Sequence, residues 1–125
     1  MTRSSGSVNS LKGRHVLIVE DEFYLAMDIK DGVERAGASV LGPSSDVEAS
    51  LEIIERDRPD YAIVDINLGH GATFEIAEEL ECKKIPFLFL TGYDAASIPP
   101  GFAHIDRFEK PANVARIIEA IARLG

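Results

Sequence analysis

Three short runs constrain this chain more than any other feature: VLIV at Val16–Val19, YAIV at Tyr61–Val64 and FLFL at Phe87–Leu90. Each is continuously apolar and too brief for a buried helix, the pattern of central parallel strands covered on both sides. Amphipathic stretches separate them. FYLAMDIKDGVERAG (23–37) places Leu25, Ile29, Val33 and Ala36 on one helical face, with Gly37 where a left-handed cap would end it. DVEASLEIIERDR (46–58), TFEIAEELECK (73–83) and PANVARIIEAIARLG (111–125) read as further helices, and ASVLG (38–42) and HIDRF (104–108) as the outer strands. This alternation predicts an α/β fold, a doubly wound five-stranded parallel sheet with about five helices. The fourth helix is expected to be short or irregular, because Pro99 and Pro100 leave only YDAAS (93–97) to nucleate it.

Residues 1–13 are rich in Ser, Gly and Asn without apolar period and read as a flexible leader, so the single domain is placed at 14–125. At 125 residues and 46% hydrophobic content the chain can bury a core unaided. A net charge of −8 argues against nucleic acid as a partner, since phosphate-tracking proteins present clustered Lys and Arg. No run approaches a membrane span and the N-terminus lacks a secretory signal, so no membrane partner and a cytoplasmic location are expected. Cys82, the only cysteine, fits a reducing compartment and reads as a buried or inert thiol.

Ligands of open parallel sheets bind beyond the carboxyl ends of the strands, where strand order reverses. The strands deliver Glu20 and Asp21, Asp65, Thr91 and Lys110 to that edge. Three carboxylates gathered there repel one another unless a cation sits among them or their pKa values rise. Mg²⁺ suits such an oxygen set, and the acidic stretch VLIVEDE is read as its seat. Lys110 and the Thr91 hydroxyl are then placed to meet phosphoryl oxygens, with Asp65 as the nucleophile that forms an acyl phosphate. Glu22 reads as an acid that starts the first helix. Taken singly, Asp65 is also an ordinary strand-end turn residue, Thr91 a turn residue before Gly92, and Lys110 the residue before a Pro111 that opens a helix. His15, His70 and His104 lack metal-ligand spacing and read as surface or packing residues, while Gly69 and Gly71 suggest mobility after Asp65.

VLIVEDE, AIVDINL (62–68), FLFLTGY (87–93) and FEKP (108–111), in this order and spacing, resemble the receiver domains of two-component response regulators. The resemblance covers residues 14–125. It implies a flavodoxin-like fold whose Asp65 receives a phosphoryl group from a histidine kinase, with Mg²⁺ on Asp21, Asp65 and the backbone carbonyl of Asn67, and with Glu20 direct or through water. It also implies a cis Lys110–Pro111 peptide. FLTGY is similar to the Phe-Ala-Thr-Gly-aromatic signature of bacterial single-domain receivers, with Leu90 in the Ala place.

Two departures stand out. Glu20-Asp21 replaces the usual Asp-Asp, and Arg107 occupies the place of an aromatic switch, leaving Tyr93 or Phe108 as candidates for that coupling. The expected partners are a histidine kinase or phosphotransfer protein and a downstream protein, the chain being a monomer or weak dimer. No output domain is expected after the last helix, and the only catalysis expected is the domain's own phosphoryl transfer and dephosphorylation. The same residues leave open a constitutive docking module. An aspartyl phosphatase is disfavoured by Asn67 where an acid would be needed, and a flavodoxin-like cofactor binder by the acidic first loop.

Overall fold

The computed structural model describes residues 10–66, 74–92 and 98–124. Five strands form one parallel sheet: β1 (His15–Val19), β2 (Ser39–Ser44), β3 (Tyr61–Asp65), β4 (Phe87–Thr91) and β5 (Arg107–Glu109), in the order β2-β1-β3-β4-β5. Four helices connect or follow them: α1 (Phe23–Arg35), α2 (Val47–Asp57), α3 (Phe74–Cys82) and α4 (Val114–Leu124). The sheet is doubly wound, and strand order reverses between β1 and β3.

The continuous apolar runs behave as expected of strands sandwiched between helices. Every residue of β3 and β4 is buried, as are the last four of β1. Successive side chains alternate faces. Val16, Ile18, Ile63, Leu88 and Leu90 join Ile29 and Val33 of α1 and Ile117 and Ile121 of α4 in one core. Leu17, Val19, Ala62, Val64, Phe87 and Phe89 join Ile54 of α2 and Ile76 and Leu80 of α3 in the other. In α1 the predicted stripe holds at Ile29 and Val33, with Ala26 buried beside them and Leu25 half-buried against the core. Gly37 follows at φ +98°, as the expected left-handed residue past the helix.

The segment between β4 and β5 is held by rings. A 3₁₀ turn at Pro100–Phe102 drives Phe102 into the second core, stacked on Phe74 at 5.9 Å and edge-on to Phe87 and Phe89. YDAAS lies outside the described residues, so the described chain has four α-helices where about five were expected. Other boundaries moved. β5 runs Arg107–Glu109 instead of 104–108, and α4 begins at Val114, not at Pro111, with the Asn113 side chain accepting the Arg116 amide at 3.2 Å. Leu11, placed in the leader from sequence, is 1% exposed within the first core, and its amide donates to the Ala36 carbonyl. Cys82 is exposed at the end of α3, not buried. No helix among the described residues is long and apolar enough to cross a membrane.

Candidate functional site

The topology brings the acids together. Glu20 and Asp21 follow β1, and Asp65 ends the adjacent β3, so all three leave the sheet at the reversal of strand order. Their carboxylates each offer an oxygen within 4.8 Å of the others, and no other such group of three occurs among the described residues. Glu20 and Asp65 are 3% and 1% exposed, whereas Asp21 is open to solvent.

Lys110 closes the group from the loop after β5. Its Nζ donates to Glu20 Oε2 and to Asp65 Oδ2, both at 3.1 Å, and lies 3.5 Å from Glu22 Oε1. The Lys110–Pro111 peptide is cis, and the Lys110 amide donates to the Thr91 carbonyl at 2.8 Å. Thr91 itself is buried at the end of β4, one residue past the partner of Asp65 in the ladder. Glu22 stands at the start of the first helix, as read from the sequence. It is the N-cap of α1 but makes no side-chain cap, and its carboxylate turns towards Lys110 instead.

Charge balance in the group is incomplete. Burial pushes the Glu20 carboxyl up to about 7; the Glu22 amide, 2.9 Å from Oε2, opposes this, Asp65 repulsion adds to it and Lys110 relieves it. Burial alone would lower the Lys110 ammonium, but the hydrogen bonds and attraction of Asp65 and then Glu20 outweigh it and hold the group above its ordinary range. Among the described residues, the Lys110 ammonium donates to both of these nearly dry carboxylates. Glu20 Oε1 remains buried without a hydrogen-bond partner, which is costly unless something else meets it. An orphaned carboxylate oxygen in a three-acid cluster fits a hard divalent cation, which takes oxygen ligands and keeps several waters.

The remaining candidates separate. Arg107 is exposed on β5, while Phe108 is half-buried against the first core and paired with Leu90. Asn67 and Tyr93 lie outside the described residues, as do Gly69, His70 and Gly71. His15 and His104 are surface groups, near Asp60 and Glu81 respectively.

Two residues escaped the sequence reading. Phe23 and Tyr24, 65% and 82% exposed, are the only exposed large hydrophobic residues among those described, and their rings meet edge to face at 5.4 Å. With Leu25, Asp28, Lys110 and Pro111 they border a groove of about 610 Å³ beside the acids. Their signal was two aromatics directly after an acidic turn, off the stripe that Ile29 and Val33 define.

Known proteins are similar to this chain in sequence and fold. The response regulator receiver domain model matches residues 16–122. The transcriptional regulatory protein PdtaR of Mycobacterium tuberculosis is 29% identical over 94 residues, 74% of this chain and 46% of PdtaR. The chain spans about half the length of the first curated relatives it matches. The response regulator PhyR from Brucella abortus superposes with a TM-score of 0.78 at 26% identity, covering 97% of this chain and 51% of that one. SdrG from Pseudomonas melonis Fr1, solved in its BeF₃-activated conformation, gives 0.73 at 31% identity and covers 95% and 99%. With a buried acid at the end of β3, a lysine after β5 and a family match across nearly the whole sheet, the chain belongs to the response regulator receiver domains.

Proposed function

We propose that this chain is a phosphoacceptor: Asp65 takes a phosphoryl group from the phosphohistidine of a histidine kinase or phosphotransfer protein, and the modified domain signals through altered contacts with a downstream protein. One observation carries the reading. Lys110 Nζ lies 3.1 Å from Asp65 while three carboxylates offer oxygens within 4.8 Å of one another, an arrangement that anticipates both a cation and an anionic ligand.

A lone pair on an Asp65 carboxylate oxygen attacks phosphorus, and the bond from phosphorus to the histidine nitrogen breaks. The ring keeps that electron pair and, with its other nitrogen protonated, departs as neutral imidazole. The Lys110 ammonium, already at the carboxylate, turns to the phosphoryl oxygens and offsets their charge, with the Thr91 hydroxyl as a further donor. Glu20, Asp21, Asp65 and the Asn67 carbonyl would hold Mg²⁺, which supplies charge neutralisation between the acids and the phosphoryl group. The groove beside Phe23 and Tyr24 gives the donor a place to rest next to Lys110. The domain turns over no other substrate and works in the cytoplasm, as a monomer or weak dimer without nucleic acid.

The test is intact-mass analysis after incubation with acetyl phosphate and MgCl₂. A gain of one phosphoryl group that disappears in Asp65→Asn and with EDTA is the expected result. No gain, or one that survives Asp65→Asn, overturns the proposal. BeF₃ binding, the anion used to activate SdrG, gives an independent readout.

A further inference from the structure

We propose that a bulge in β2 positions Glu20 for the divalent cation, with Ser44 as the positioning residue; the inference rests on the cation reading above. β1 and β2 pair regularly from His15↔Ser39 to Leu17↔Leu41, after which β2 carries an extra residue and Val19 faces Ser44. The irregularity falls at Gly42-Pro43. Gly42 sits at φ +91°, and a Cβ there would lie 2.7 Å from the Ser44 amide nitrogen and 3.0 Å from the Ile18 carbonyl oxygen. Backbone on both sides leaves room for glycine alone.

An extra residue turns the side chains that follow it to the opposite face of the sheet. The Ser44 hydroxyl here points inward, 7% exposed, 2.9 Å from the hydroxyl of the fully buried Ser50. Ser50 Oγ also lies 2.8 Å from the Asp46 carbonyl oxygen, and the Asp46 carboxylate caps α2 by accepting the Ala49 amide at 2.9 Å. The end of the outermost strand is thereby tied to a helix start instead of being left to fray.

From this anchored residue the Ser44 carbonyl accepts the Glu20 amide at 2.9 Å. With its main chain held, Glu20 sends Oε2 to the Glu22 amide and Lys110 and leaves Oε1 buried and unpartnered in the acidic group. A glutamate has one more rotatable bond than an aspartate, so fixing its carboxylate costs more side-chain entropy and needs a firmer base. The bulge and its hydroxyl pair supply that base.

The test is calorimetric titration of the full chain with MgCl₂ in parent, Gly42→Ala, Ser44→Ala and Ile54→Val. Gly42→Ala is expected to weaken the Mg²⁺ Kd by about 10-fold or more, and Ser44→Ala by about 3- to 10-fold. Ile54→Val loosens the neighbouring core of α2 and should lower the melting temperature with affinity unchanged, which separates positioning from general destabilisation. If Gly42→Ala does not fold, Ser44→Ala decides alone. A folded variant that binds within about twofold of the parent, or an equal loss in Ile54→Val, overturns this inference and leaves the phosphoacceptor reading standing. A parent chain that takes up no Mg²⁺ overturns both.

Discussion

Glu20 and Lys110 set the behaviour of the site residue by residue. In chelated buffer the folded chain holds a proton on Glu20 up to about pH 7, whereas the ordinary carboxyl releases it near 4.5. The folded state therefore binds more protons than the unfolded state between those values, and stability must fall as pH rises through them. The contribution is complete below pH 4.5 and gone above pH 7. Relative to Glu20→Gln, the parent should lose on the order of 3 kcal/mol across that window in urea denaturation with EDTA, and a flat or rising difference would contradict the assignment. Lys110→Ala removes the ammonium that donates to both buried acids. It should cost on the order of 2 kcal/mol without metal, less than a fully buried pair because Lys110 is partly open to solvent, and Mg²⁺ should restore more stability than it adds to the parent. Denaturation with and without MgCl₂ reads both.

At the scale of elements, the three central strands were the easiest part of this chain to read. The apolar runs of β1, β3 and β4 are unbroken, and so Glu20, Asp21, Asp65 and Thr91 could be placed at one edge from the sequence; β2 and β5 carry no such run, and their bounds were read as 38–42 and 104–108 where the strands span Ser39–Ser44 and Arg107–Glu109. Helix starts were harder, because Pro111 and Asn113 both make acceptable first-turn residues and only packing decides between them. Isolated side chains were hardest. Leu11 has no apolar neighbour in sequence to announce it, yet it sits in a core built by α1 and α4; the outward turn of Cys82 depends on where α3 faces. Phe102 has the same character, a lone ring after two prolines that proves to be the anchor of the β4–β5 segment. Phe102→Ala should cost about 3–5 kcal/mol in equilibrium unfolding, since it vacates a nearly buried place among three other rings. Lys84, at φ +60° after α3, holds a left-handed conformation that glycine adopts freely. Lys84→Gly should raise stability by about 0.5–1 kcal/mol by the same measurement.

For the molecule as a whole, the proposed cation seat should make stability depend on the MgCl₂ concentration. Mg²⁺ at a hundred times its Kd should add about 2.7 kcal/mol to the folded state, and Asp21→Asn should cut that gain without changing the metal-free melting temperature much, because Asp21 is exposed. Thermal scans across a MgCl₂ series check this, and a shift that Asp21→Asn leaves intact would place the cation elsewhere. The two rims of the sheet carry a separate consequence. β2 interrupts its own ladder with Pro43, which has no amide hydrogen to offer, and β5 is three residues long with Arg107 and Glu109 at its ends. Neither rim presents the long, flat, uncharged template on which a foreign strand could continue the sheet. Copies of this domain crowded together should therefore resist amyloid-like stacking, and any association between them should run through helix faces.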